Sequence, residues 1–268
     1  MPLPFLTKKS FIAKVRSYGL EFKKKVEKYL GNTNEKNIHD IRTSTRRLHV
    51  TYSLLTKKIH GKPEISSYYR LSKVLFKYNS DIRDVDIICQ HLKSYDNKES
   101  ARVQKYLVRK RAKKLKSAID LAGQMKVLPL PEIDEKYLST KKIESKFANE
   151  KEKFLNRIVR NIPTVTSDSR RIEELHELRK NSKKLRYLLE LLPKQDEGVS
   201  KLIKMQDKLG SIHDFDITIA FLKRCKQDSM LQSIIQSEAH QRNKKFQEFS
   251  NSMTEFLDSK DKDNYFNK

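Results

Sequence analysis

One 17-residue segment occurs twice in this chain, as HDIRTSTRRLHVTYSLL from His39 and as HELRKNSKKLRYLLELL from His176. The copies are offset by 137 residues and align without a gap. Arg42 matches Arg179, Arg46 matches Lys183, Arg47 matches Lys184 and His49 matches Arg186. The apolar positions match as well: Ile41 with Leu178, Leu48 with Leu185, Tyr52 with Leu189, Leu55 with Leu192. At about 100° per residue, His39, Arg42, Arg46 and His49 gather on one side of a helix, and Ile41, Leu48, Tyr52, Leu55 and Ile59 on the other. The second copy gives the same wheel. Each helix must bury one face and offer a row of cations on the other, with positions four apart spaced by about 6 Å. A helix that keeps its cations as faithfully as its core reads as one of two half-sites for a large anion.

The rest of the chain is also helical in pattern. Charged residues make up 34%, Gly and Pro number only 6 and 7, and Trp is absent, a composition that fits long 3.6-residue periodicity and an all-α fold. The breaks predict helices over 8–30, closed by Gly31, over 34–60, ended by Gly61 and Pro63, over 64–79, over 82–95 after a break at Asn79-Ser80, and over 100–127. Pro129-Leu130-Pro131 then divides the chain into halves 1–128 and 132–268. The second half predicts helices over 133–160 up to Pro163, 169–192 ending at Pro193, 197–209 stopping near Gly210, 214–227 and 230–258, then a frayed tail 259–268. A second repeat accompanies the first: Ile82-Arg83-Asp84-Val85-Asp86 resembles Ile212-His213-Asp214-Phe215-Asp216. The segment over 100–127 adds a stripe of Arg102, Lys105, Arg109, Lys113 and Lys116, whose best match in the second half is His240 and Lys244.

Net charge selects the class of partner. The formal charge is +24, and residues 1–130, with 30 Lys and Arg against 11 Asp and Glu, carry +19 of it. A field this positive draws polyanions: nucleic acid, anionic membrane or polyphosphate. Cys89 and Cys225 both fall in apolar helical stretches and read as buried free thiols. Residues 1–6 are too short for a secretory h-region, and no apolar run approaches 18 residues. The expected setting is cytoplasmic.

A His-x-x-Arg-x-x-x-basic-basic-Leu helix used twice, each copy followed by an Arg/His-Asp-x-Asp segment, resembles the CHAD family, the conserved-histidine α-helical domain. The resemblance spans essentially the whole chain. It implies an all-α fold of two pseudo-symmetric helical bundles from an internal duplication, with a basic cavity or groove between or along them. It implies inorganic polyphosphate as the partner, with no general catalytic activity, no cofactor, and association with polyphosphate granules. By motif position, His39, Arg42, Arg46 and Arg47 would line one half of the site and His176, Arg179, Lys183 and Lys184 the other. His49, Arg186, Arg102, Lys105, Arg109, Lys113, His240 and Lys244 would extend the polyanion surface, with Asp84, Asp86, Asp214 and Asp216 orienting the cations. One departure is that Asn79 stands where the second copy has Leu209.

Polyphosphate suits such a surface. It is flexible, densely charged and has no bases to stack, so it needs a long row of donors of modest individual precision. Arg supplies forked, permanently charged contacts and Lys flexible point charges. His adds a donor whose charge depends on pH and on its neighbours. Metal binding by His39 and His176 is disfavoured by their cationic helical neighbours. His39-Asp40 and His213-Asp214 resemble the doublet of HD phosphohydrolases only weakly, since the repeat puts Glu177 for Asp40. The Asp84/Asp86 and Asp214/Asp216 pairs could hold Mg²⁺ for a phosphohydrolase or phosphotransferase acting on polyphosphate. The blander expectation places them in the first turn after a helix break, as caps and ion-pair partners. No phosphate-binding glycine loop, nucleophile elbow or Glu-x-Glu-x-Lys motif of CYTH-type triphosphatases is present. Non-specific nucleic-acid binding remains an alternative at this charge, although aromatics do not interleave with the stripes as a stacking platform requires. Oligomeric state and chain-length preference are left open.

Overall fold

The structure is a computed structural model that describes residues 6–192, 197–225 and 229–258. Among the described residues all regular structure is helical. The order is α1 (Lys8–Gly31), α2 (Glu35–Ser53), α3 (Lys57–His60), α4 (Pro63–Leu92), α5 (Lys98–Val127), a short 3₁₀ turn (Glu135–Tyr137), α6 (Thr140–Ser167), α7 (Ile172–Leu189), α8 (Glu197–Leu222) and α9 (Ser229–Asp258). Caps set several of these boundaries. Thr7 accepts from the Ser10 amide to start α1, and Asn34 accepts from Asn37 to start α2, each satisfying a donor that the first turn would leave open.

Four sequence expectations change. First, α4 runs through Asn79-Ser80 without a break. Asn79 is fully buried and its amide donates to the Leu75 carbonyl, while the Ser80 hydroxyl donates to Phe76. Side chains that read as turn-formers here bond one helical turn back and continue the helix. Second, α8 likewise runs through Gly210, so 197–209 and 214–227 are not separate helices. The D-x-D pairs therefore lie within helices, not in first turns. Third, α6 begins at Thr140, not at 133, and passes Pro163 to end at Ser167. Buried Ile162 and Val165 anchor its last turn, and the Thr166 hydroxyl donates to the Ile162 carbonyl. Fourth, the first motif helix stops at Ser53 and resumes as α3, and α1 is capped by extended Asn32 rather than by Gly31. Pro193 and the tail 259–268 lie outside the described residues.

The chain divides into two compact units. The first comprises Met1–Asp86, Lys105–Ala148 and Leu191–Pro193, the second Ile87–Gln104, Asn149–Glu190 and Lys194–Lys268. Each unit takes residues from both sides of Pro129-Leu130-Pro131, because α4, α5 and α6 each contribute to both.

In the first unit α1 packs along α2. Phe11, Phe22, Val26 and Tyr29 of α1 are buried, and so are Ile38, Ile41, Leu48 and Tyr52 of α2. Phe22 meets Tyr68 of α4 edge to face at 6.2 Å between centroids, a geometry that adds to simple area burial. Leu130 seats against Gly19, where an added Cβ would come within 3.2 Å of it. In the second unit α7 packs on α8, and α8 on α9. Leu178, Leu185 and Leu189, Met205, Leu209 and Ile212, and Phe246 and Phe249 are buried there. The apolar stripe read from both motif copies is thus the buried face of both helices. Cys89 and Cys225 are half-buried rather than buried, and among the described residues neither is in a disulfide.

Candidate polyanion-binding site

In the first unit α2 carries His39, which is exposed, with Arg42 and Arg46 half-buried beside it. The Arg46 guanidinium lies over the Phe76 ring of α4 at 5.0 Å, a cation–π contact that holds the charged group in place. Arg83, further along α4, completes the group. Burial, then Arg42, and more weakly Arg46 and Arg83, hold the His39 imidazole below its ordinary range against an opposing pull from Asp40. Asp40 is itself engaged by Lys25 of α1 at 2.7 Å. Arg83 also reaches Glu35 at 3.7 Å.

The second unit has a comparable group, with Lys183 at the position of Arg46 and His213 at that of Arg83. His176 of α7 meets His213 of α8, ring centroids 4.3 Å apart and planes nearly perpendicular. A narrow cleft there is lined by Leu175, His176, Arg179, Leu209, Ile212, His213 and Asp216. Burial, then His213, then Lys180, Arg179 and Lys183 push the His176 pKa down to about 4. The imidazole is therefore neutral near pH 7 while no anion is bound. Nδ1 of His213 lies 3.5 Å from Asp214.

Behind each group an arginine from the next helix takes an aspartate. Nε of Arg111 on α5 lies 2.6 Å from Asp86, and Nε of Arg242 on α9 lies 2.8 Å from Asp216. The second pair is almost wholly buried, the side chains 7% and 9% exposed. Lys114 of α5 takes Asp81 at 2.9 Å. Glu238, 3% exposed on α9, accepts from His91 Nδ1 at 2.6 Å and from the Tyr95 hydroxyl at 2.8 Å. The D-x-D carboxylates at Asp86 and Asp216 are thus ion-pair partners, as the blander sequence reading held, but from helix interiors and to arginines not singled out in the sequence. Among the described residues no three His, Cys, Asp or Glu side chains gather as a metal site, and no helix is long and apolar enough to cross a membrane.

Other candidate residues stand elsewhere. Arg47 reaches Glu21 of α1 at 3.3 Å. Lys184 lies over Phe154 of α6 at 5.6 Å. Arg186 lies over Tyr187 at 4.5 Å and reaches Glu190 at 3.6 Å. Arg102, Lys105, Arg109 and Lys113 are exposed, on the side of α5 opposite buried Val103, Leu107 and Ala118, whereas Arg111 and Lys114 reach α4. Arg102 pairs with Glu99. His240 and Lys244 are exposed on α9, away from buried Arg242.

His49 is held inside the packing. Its Nε2 lies 2.9 Å from the Ser72 hydroxyl and its ring 4.6 Å from that of Tyr69. Burial, aided by Lys73, pushes its pKa to about 4. A histidine that is harder to protonate folded than unfolded contributes stability that is complete above the unfolded pKa of 6.5 and is lost as pH falls toward 4. Between pH 7 and pH 5 this costs about 2 kcal/mol. Urea unfolding at the two pH values should show at least that loss in the wild type, to which His176, lowered to the same value, adds a similar share, and His49→Gln should shrink the total by about 2 kcal/mol. An unchanged slope in the variant would assign the loss to other groups.

A model of the CHAD domain matches residues 21–223, and the chain belongs to the CHAD domain family. Two solved structures share its fold. The crystal structure of the CHAD domain from the plant Ricinus communis aligns with a TM-score of 0.66 at 14% identity, covering 91% of this chain and 89% of that one. PptA from Streptomyces chartreusis aligns with a TM-score of 0.53 at 15% identity, covering 91% and 98%. At these identities the likeness is one of fold. No curated protein matches the chain.

Proposed function

We propose that this chain binds inorganic polyphosphate, or another phosphate-rich polyanion, without turning it over. His39, Arg42, Arg46 and Arg83 form the cluster in the first unit, and His176, Arg179, Lys183 and His213 the cluster in the second. One observation carries the reading. The aspartate three positions after Arg83, and that after His213, are each taken by an arginine from the following helix. These two carboxylates are therefore engaged by Arg111 and Arg242 rather than by the cations of the clusters. The association of CHAD domains with polyphosphate names the anion. In this reading α1, α2, α4 and α5 recur as α6, α7, α8 and α9 by internal duplication. The exposed rows on α5 and α9 extend the positive surface. The setting is a cytoplasm that accumulates polyphosphate, with granule association.

Long-chain polyphosphate binding at ~0.15 M salt, in competition with DNA and RNA at equal charge concentration, tests this. Polyphosphate should resist competition, and affinity should fall as salt rises, because binding releases counterions. Equal competition by all three would reduce the site to general electrostatics and favour a nucleic-acid partner. Phosphate release with Mg²⁺ that is lost in Asp84→Asn or Asp214→Asn, with binding retained, would identify an enzyme instead.

A further inference from the structure

The two clusters differ at one cross-helix position. Arg83 stands three residues before Asp86, and His213 stands three before Asp216. The first unit thus carries a permanent charge where the second carries a titratable one. His213 does not stand alone: it meets His176 edge to face at 4.3 Å. The charged groups around the pair are Arg179, Lys180 and Lys183 on α7, Asp214 and Asp216 on α8, and Arg242 of α9, which engages Asp216. Two imidazoles at this separation among so many cations resist double protonation, since the charge on one opposes that on the other. The pair at this separation therefore resists carrying two charges, where the first unit holds the permanent charge of Arg83. A neutral imidazole offers one N–H donor and a protonated one offers two. An arriving phosphate reverses the local field and makes protonation favourable.

We propose that the His176–His213 pair makes anion capture in the second unit proton-coupled, so that phosphate and protons from solvent bind together there, while Arg83 leaves capture in the first unit less dependent on pH. The inference rests on the polyanion reading above and assigns His213 and Arg83 as the residues that set its pH dependence. By linkage, affinity rises about tenfold per pH unit of acidification for each proton taken up.

Calorimetric titration of the full chain with long-chain polyphosphate, at about pH 6.5 in two buffers of different ionisation enthalpy, counts those protons. The wild type should take up about one proton or more on binding. His213→Arg should lower that uptake by about one and flatten the pH dependence between about pH 5.5 and 7.5. Arg83→His, which places an imidazole beside His39, should raise uptake, and it decides the matter if His213→Arg does not fold. Tight wild-type binding with no proton uptake overturns the proposal and leaves the polyphosphate reading standing. Uptake that neither variant changes does the same. Absence of binding across the whole pH range overturns the polyphosphate reading itself, and this inference with it.

Discussion

Arg242→Met should lower folding stability by about 3–5 kcal/mol, the range found when one partner of a buried ion pair is removed. Arg242 and Asp216 are 7% and 9% exposed at their side chains, with Nε 2.8 Å from the carboxylate. Methionine keeps an apolar stem beside Phe246, whose ring lies 5.9 Å from the guanidinium, so the loss reports charge more than volume. Without the arginine, Asp216 is a buried carboxylate in the cleft beside His176 and His213, and it must be neutralised or left uncompensated. Arg111→Met removes the matching residue in the first unit, but the Arg111 side chain is 27% exposed. Asp86 is itself 8% exposed while paired, but the part-exposed site that Arg111 vacates admits water to it, and the expected cost is smaller, about 2–3 kcal/mol. Urea unfolding of both variants, with Asp216→Asn and Asp216→Asn/Arg242→Met to close a double-mutant cycle, checks the order. An Arg242→Met loss no larger than that of Arg111→Met would show that burial does not govern these pairs.

The helical class and the two motif helices were legible because a 3.6-residue apolar stripe dictates which face a helix buries. Ile41, Leu48 and Tyr52, and their counterparts Leu178, Leu185 and Leu189, are all buried. The misread boundaries fall at Asn79, Ser80, Gly210 and Pro163, all breakers by local preference: Asn79 and Ser80 bond to carbonyls one turn back, and buried neighbours, Leu209 and Ile212 around Gly210 and Ile162 and Val165 around Pro163, carry the other two helices on. In the site, the α2 and α7 cations could be read because they lie on one helix each. Arg83 and His213 lay within a repeat that was noticed, yet their partners come from another helix, which periodicity cannot assign. Arg111 and Arg242 are hidden for the same reason, and the denser cation stripe of α5 lies on its other, exposed side. A signal was nonetheless present. Arg111 follows Asp86 by 25 residues, and Arg242 follows Asp216 by 26, so an acid–base pair recurs at nearly one spacing in both halves. Glu238 with His91 and Tyr95 left no such trace, because their contacts span 147 and 143 residues.

Arg179→Ala/Lys183→Ala should weaken polyphosphate binding by roughly 10²-fold. Each lost charge-assisted contact is worth about 1.5 kcal/mol, the low end of the range, because both side chains are half-exposed and partly screened. The second unit gives the cleaner test. In the first unit Arg46 lies on Phe76, so truncating it removes packing as well as charge, and Arg42→Ala/Arg46→Ala should lose more stability for a similar loss of binding. Lys105→Ala/Lys113→Ala removes two cations from the exposed side of α5, leaving the clusters intact. If the clusters hold the anion and the α5 row only extends the field, that double variant should lose no more than about 3-fold, since exposed charges contribute about 0–1 kcal/mol in total. The measurement is one titration series of the three double variants at fixed salt, beside their unfolding curves. A loss that depends only on the number of cations removed would mean that the chain attracts polyphosphate by net charge alone. A loss concentrated in the α7 and α2 variants would mean that position on the helix matters, which is what a helix face used twice requires.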